Sequence, residues 1–196
     1  MPETLAIDPK TSALLVMDFQ RAVVGSFTAD PEALLARTAR LIAAARAAKM
    51  PVIYVVVGFR PGFPEVSPRN RSFSAVRQSG RFAAGSGDSE VHAAVAPAAD
   101  EVVVTKHRVS AFAGTDLEQI LRAGELRTLV LAGIATSGVV LSTIRHAADA
   151  DYELVVVSDC CDDRDPEVHR VLLEKVFPRQ ATVVDADAVA KALAAG

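Results

Sequence analysis

The stretch TLVLAGIATSGVVLSTIRHAADADYELVVV, residues 128–157, carries the pattern that decides the fold. Thr128 to Ala132 is a short apolar run without alternation, as suits a strand buried on both faces. Gly133 to Gly138 interrupts it, and Gly138 to Asp149 reads as a helix. Leu154 to Val157 then returns to a β-branched run. Strand, turn, helix, strand is the repeating unit of a parallel sheet covered by helices.

The same alternation extends in both directions. Upstream lie the apolar runs Ala13–Met17, Val52–Val57 and Glu101–Thr105, and downstream Ala181–Val184. Between Pro31 and Lys49 the residues Leu34, Leu35, Thr38, Leu41, Ile42 and Ala45 recur at helical spacing. Asp30 fits the N-cap there and Pro31 the first helical position. Leu117–Ala123, Pro166–Phe177 and the Ala-rich Ala186–Ala195 complete the helices. The expectation is an α/β domain with six parallel strands and helices on both faces. Gly58–Gly87, rich in Gly, Pro, Ser and Arg, shows no clear period. An excursion of that length is either a functional lid or a surface loop.

Composition narrows the function classes. A chain of 196 residues, 51% hydrophobic and 23% charged, is long enough for one domain with a sizeable core. No apolar run approaches the roughly 20 residues of a membrane span. The opening Met1-Pro2-Glu3-Thr4-Leu5 lacks a basic segment followed by an apolar one, so a cytoplasmic protein is expected. The net charge of −3, with Lys and Arg scattered, argues against a nucleic-acid partner. The two cysteines, Cys160 and Cys161, are neighbours, which fits neither a disulfide framework nor a metal site.

In an open parallel sheet, ligands bind beyond the carboxyl ends of the strands. That rule selects Asp18 after the first strand, Arg60 after the second, Lys106 after the third, the Gly133–Gly138 turn after the fourth and Asp159-Cys160-Cys161 after the fifth. An Asp and a Lys on strand ends form either an acid–base pair or a structural salt bridge. The turn either aims backbone amides at an anion or is a capped helix start, with Thr136 or Ser137 as the cap. Neither of the phosphate-loop patterns is present. His92, His146 and His169 fall on helical segments and read as surface residues, while His107 points to the face opposite Lys106.

The order of these motifs resembles the isochorismatase-like hydrolases. The resemblance rests on Asp18 in Asp18-Phe19-Gln20, on VTKHRVSAFAGTDLEQILR around Lys106, and on Gly133-x-x-Thr136 within LVLAGIATSGVVLSTIRHAADADY. It runs from about Ala13 to the helix after Pro166. It implies a Rossmann-like three-layer α/β/α sandwich, catalytic Asp18 and Lys106, and a cis peptide at Ile134–Ala135. The amides of Ala135 and Val139 would form an oxyanion hole beside Thr136. Gln20, Arg60, Phe112, Ser137 and Gly138 are the candidate substrate-binding positions around them, and Arg69, Arg71 and Arg81 are further candidates for substrate carboxylates.

One departure from the resemblance governs the chemistry. Most such hydrolases carry a nucleophilic cysteine three residues after the Thr, and here that residue is Val139. Isochorismatases proper manage without the cysteine, cleaving a vinyl ether by protonation and attack of water. The expected function is therefore hydrolysis of a small anionic or cyclic substrate by Asp18 and Lys106. The alternatives are an amidase using Ser137 or Ser142, or a relative that binds a small molecule without turning it over. Metal-dependent relatives carry a His-containing cluster after the second strand, where this chain has GFRPGFPEVSPRN, so no metal and no cofactor are expected. A homodimer or larger homo-oligomer is implied by the resemblance.

Overall fold

The computed structural model describes residues 5–195; Met1 to Thr4, read above for a leader, lie outside the described residues. Six strands form one sheet: β1 (Ser12–Met17), β2 (Val52–Val57), β3 (Val102–Lys106), β4 (Thr128–Ile134), β5 (Glu153–Asp162) and β6 (Thr182–Val184). All pairs are parallel and the order is β3-β2-β1-β4-β5-β6. This is the doubly wound order, in which chain direction across the sheet reverses between β1 and β4. No helix among the described residues is long and apolar enough to cross a membrane.

Alternation along the strands builds two apolar compartments. Leu14 and Val16 of β1, Val130 and Ala132 of β4 and Val155 and Val157 of β5 face one side. There they meet Leu34, Leu41, Ile42 and Ala45 of α2 (Pro31–Ala47) and Val189 and Leu193 of α7 (Ala186–Ala195). Ala13, Leu15, Met17, Leu129, Leu131 and Val156 face the other side. They pack on Leu117 and Leu121 of α4 (Leu117–Ala123) and on Ile144 and Ala147 of α5 (Leu141–Asp149). The expected three layers follow. Asp30 caps α2 as anticipated, its Oδ1 accepting from Ala33 N at 3.1 Å.

Three features depart from the sequence reading. A short helix α1 (Arg21–Phe27) follows β1, and α3 (Arg71–Ser79) lies within the Gly58–Gly87 excursion. Asn70 caps α3 through Phe73 N, and Gly80 ends it in the left-handed region at φ 69°. The excursion is packed down by Phe59, Phe63, Val66, Phe73 and Phe82, all buried, with Phe59 touching both Phe63 and Phe73. Third, β5 runs to Asp162, five residues past Val157. Its register with β4 is interrupted between the pairs Leu131–Val156 and Gly133–Cys161, so five steps along β5 span two along β4. That bulge carries the strand onward and places Cys160 in one compartment and Cys161 in the other.

Gln20, a candidate substrate ligand from sequence, is a framework residue. It is fully buried, its Oε1 accepts from Val57 N, and its Nε2 donates to Val57 O and Ser89 O, each at 2.8 Å. The amide thereby closes the β1 terminus onto β2 and the end of the excursion. Gln20→Ala strands these backbone groups out of reach of water, and a loss of about 3 kcal/mol in urea denaturation is expected. An unchanged midpoint would contradict this role.

Candidate active site

Met17 is the last residue of β1, and Asp18 leaves the strand at φ 58°, a region that Asp tolerates better than most side chains. Its N–H still donates to Val55 O at 2.8 Å, so the carboxylate is fixed at the rim of β1. Lys106 ends β3 two strands away, with its side chain on the inward face. Nζ donates to Asp18 Oδ2 at 2.8 Å and to Arg108 O at 3.1 Å. Asp18 is 7% exposed and Lys106 3% exposed. Sequence reasoning proposed this pair, and the structure brings it together.

The electrostatics of the pair are uneven. Burial pushes the Asp18 carboxyl above its usual range, and the Lys106 ammonium pulls against that shift. Asp18 Oδ1 is buried with no hydrogen-bond partner, although its sister oxygen is ion-paired. A lone buried carboxylate oxygen at a strand end is unusual among satisfied polar groups.

The turn after β4 lies across the reversal point of the sheet, next to β1. The Ile134–Ala135 peptide is cis, and Thr136–Val140 forms a π-type turn, with Gly138 non-helical, before α5 begins. Gly133 is required by close packing. A Cβ there would lie 3.0 Å from Val140 Cγ2 and 3.2 Å from Met17 Cβ. Val139 is buried and closes this turn against the apolar compartment of α4 and α5.

Neither Thr136 nor Ser137 supplies the cap expected at this turn. Asp163, just past β5, does so: its Oδ2 accepts from both Ser137 N and Ser137 Oγ at 2.7 Å. Thr136 Oγ1 instead shares a 2.8 Å hydrogen bond with Nδ1 of His169, on α6 (Pro166–Val171). His169 was read as a surface residue, and Asp163 was not singled out. The only available sequence signal was their position just beyond a strand end, and the unforeseen length of β5 hid it.

Other candidates are placed elsewhere. Phe112 is 6% exposed, packs in the compartment of α4 and α5 and stacks on His146 at 4.5 Å. Arg60 pairs with Glu65 at 2.8 Å and borders an open groove of about 540 Å³. Val56, Val103, Thr105 and His107 also line that groove, which opens on the side of β3 opposite Lys106. His107 Nδ1 lies 2.6 Å from Gly58 O. Arg81 donates to Ala22 O, and Arg164 to Ser26 O while lying 4.8 Å from the Phe27 ring. These two arginines hold α1 in place. Arg69 and Arg71 are exposed.

A sheet in this order, an Asp–Lys pair on β1 and β3, and a cis peptide entering the turn after β4 are accompanied by a match of residues 12–188 to the isochorismatase domain family. The chain belongs to the isochorismatase family. Ureidoacrylate amidohydrolase RutB of Methylobacterium radiotolerans is 33% identical, with 98% of this chain and 83% of that protein covered. The uncharacterized isochorismatase family protein YecD of Escherichia coli O157:H7 is 32% identical over 96% of this chain and all of its own. Among solved structures, an isochorismatase family protein of Burkholderia thailandensis superposes with a TM-score of 0.83 at 31% identity, covering 98% of this chain and all of that one. N-carbamoylsarcosine amidase of Thermoplasma acidophilum gives 0.73 at 30% identity, covering 90% and 97%. This isochorismatase-like hydrolase thus shares its architecture along nearly its whole length with these relatives.

Proposed function

We propose that this isochorismatase-like hydrolase cleaves a small anionic or cyclic substrate by acid–base chemistry at Asp18 and Lys106, with water as the only nucleophile. The buried pair at 2.8 Å carries the reading, together with the unpartnered Asp18 Oδ1 and the valine at position 139. Oδ1 has no protein hydrogen-bond partner, and the reading assigns its proton to the substrate. Lys106 holds the other oxygen and balances the charge left after transfer.

A vinyl ether suits this apparatus. Asp18 protonates the terminal enol carbon, and the adjacent carbon becomes an oxocarbenium centre. Water adds there and returns a proton to Asp18, and the hemiketal collapses to an alcohol and a 2-oxo acid. The amides of Ala135 and Val139, beside Thr136 and Gly138, are the donors assigned to the alcohol oxygen that gains negative charge as it leaves the collapsing hemiketal. On the same reading the enzyme is cytoplasmic and self-associates.

The test is incubation with isochorismate and a panel of small amides, including ureidoacrylate and N-carbamoylsarcosine, with pyruvate and ammonia followed separately. Pyruvate release that depends on Asp18 supports the reading; ammonia release without pyruvate overturns it. Because burial raises the Asp18 carboxyl, its acid form persists above the usual carboxylate range. Activity is therefore expected to fall as pH rises through that raised value, and a rate that instead grows with pH across the range would rule out Asp18 as the acid.

The contact between Ser137 Oγ and Asp163 favours a second reading, since it places a carboxylate beside a serine on the turn. An amidase acting through Ser137 matches the amide chemistry named for two of the relatives. A carboxylate activates an alcohol weakly, and Asp163 is already engaged by Ser137 N. Acylation of Ser137 by a mechanism-based donor would establish this reading in place of the first.

A further inference from the structure

We propose that Asp163 is a positioning residue, which acts through Ser137 to fix the turn after β4 so that the Ala135 and Val139 amides face the substrate, with His169 as a second post. The inference rests on the reading above, which assigns those amides to the alcohol oxygen as it leaves. The turn needs an outside hold. Gly138 N and Val140 N both donate to Ala135 O, at 3.0 and 3.4 Å, and Gly138 departs from helical angles. One carbonyl serving two donors makes a poorer ladder than the α-helix that follows. Two bonds from beyond β5 reach successive residues of the turn: His169 Nδ1 meets Thr136 Oγ1 at 2.8 Å, and Asp163 Oδ2 accepts from Ser137.

Asp163 is 9% exposed, and no cationic side chain pairs with it among the described residues. Hydrogen bonds hold it instead: Oδ2 accepts from Ser137 N and Ser137 Oγ, each at 2.7 Å, and Oδ1 from Asp165 N at 3.4 Å. An ionised carboxylate only accepts, so Ser137 commits both its N–H and its hydroxyl proton to it. In the sheet, β4 lies between β1 and β5, so Asp163 grips the turn from the flank opposite Asp18. The Ser137 N–H is thereby turned toward β5, and Ala135 and Val139, on either side of it in the chain, are left for the crevice. The same tail holds the other wall. Asp162 Oδ2 accepts from Thr28 Oγ1, and Arg164 Nε and Nη2 both donate to Ser26 O at 3.2 Å. Those partners end α1, which begins three residues after Asp18. Residues 162–164 therefore tie the chain that leaves the acid to the turn that carries the amides. A misplacement of about 1 Å between such groups costs on the order of 10²-fold in rate.

Hydrogen exchange tests this hold without any substrate. In Asp163→Ala the amides of residues 135–140 should exchange at least about tenfold faster than in the parent, while those of β1 and β4 keep their rates. On whichever of isochorismate, ureidoacrylate and N-carbamoylsarcosine the parent cleaves, the variant should lose about 10–100-fold in kcat with KM within about threefold. Such a split marks an interaction made only in the transition state. Asp163→Asn keeps an oxygen that accepts from Ser137, so it should return both exchange and kcat to within about threefold of the parent. His169→Ala removes the second post and should loosen the same amides; it decides the matter if Asp163→Ala fails to fold. Turn amides that exchange as slowly as in the parent overturn the proposal, as does a rise shared equally by β1 and β4. An asparagine variant as slow in turnover as the alanine one overturns it too, because Asp163 then serves as a base for Ser137. Activity that survives Asp18→Ala, alongside fast turn exchange in Asp163→Ala, overturns the acid–base reading alone.

Discussion

Asp18→Ala is expected to cost about 3–5 kcal/mol of stability and to lower turnover by roughly 10²–10⁴-fold. The two losses have separate origins. Stability falls because Lys106, 3% exposed, keeps its charge in a site that no longer holds a counter-ion. Turnover falls because no other acid is placed at that strand end. Asp18→Leu combined with Lys106→Met removes both charges and should recover most of the stability while remaining inactive, since apolar replacement of a buried pair is often neutral. Urea denaturation separates the two effects without any substrate. An alanine variant as stable and as active as the parent would end the case for this pair.

Lys106→Met alone adds a dependence on pH whose sign is fixed. Without the ammonium, the pull that lowers the Asp18 carboxyl is gone and burial acts unopposed. The folded-state value then lies further above that of the unfolded chain. The stability linked to the protonated carboxyl is complete in acid and is lost as pH rises through the folded-state value. The variant should therefore withstand more urea near pH 5 than near pH 8.

The other large effect is expected from Val139→Cys. It places a thiol on the turn that begins α5, beside the cis Ile134–Ala135 peptide. Valine and cysteine are close in volume, so the change in stability should stay under about 1.5 kcal/mol. The helix start lowers a thiol's pKa against the burial of this position, and Asp18 is the base this site offers. Release of ammonia from small amides should rise on the order of 10²-fold over the parent. Iodoacetamide gives a reading independent of substrate. Burial pushes the Cys160 thiol up to about 12 and raises Cys161 as well, so the parent should label only when unfolded. The variant should gain one fast-labelling site. Labelling no faster than in the parent would show that position 139 is closed to reagents and to substrates.

Legibility followed burial. The strands were plain because Leu14 to Met17 and Leu129 to Ala132 are apolar on both faces, which only a central strand in a three-layer fold allows. Asp18 and Lys106 were found because strand ends locate the crevice before any contact is known. Helix α1 went unread because its seven residues include Val23, Val24 and Gly25 and it has no side-chain cap. Helix α3 did carry signals in Asn70 and Gly80, but only Phe73 on it is buried, so no apolar period marked it. Gln20, Asp163 and His169 were misjudged or passed over because their partners lie 26 to 69 residues away in the chain. Contacts of that range come from the order of the strands, which local pattern does not contain.

The bond between Thr136 and His169 gives the molecule a reporter of its own. The chain has no tryptophan, so its fluorescence carries little news of the crevice, but it has four histidines. One of these, the half-buried ring of His169, shares a hydrogen bond with the hydroxyl of buried Thr136 on the turn. Its ring nitrogens should shift in a nitrogen-15 spectrum whenever a molecule settles against the turn, whether or not that molecule reacts. Four imidazole signals are few enough to assign by single substitutions. Ligands of this enzyme can thus be sought by their occupancy alone, before any product is known.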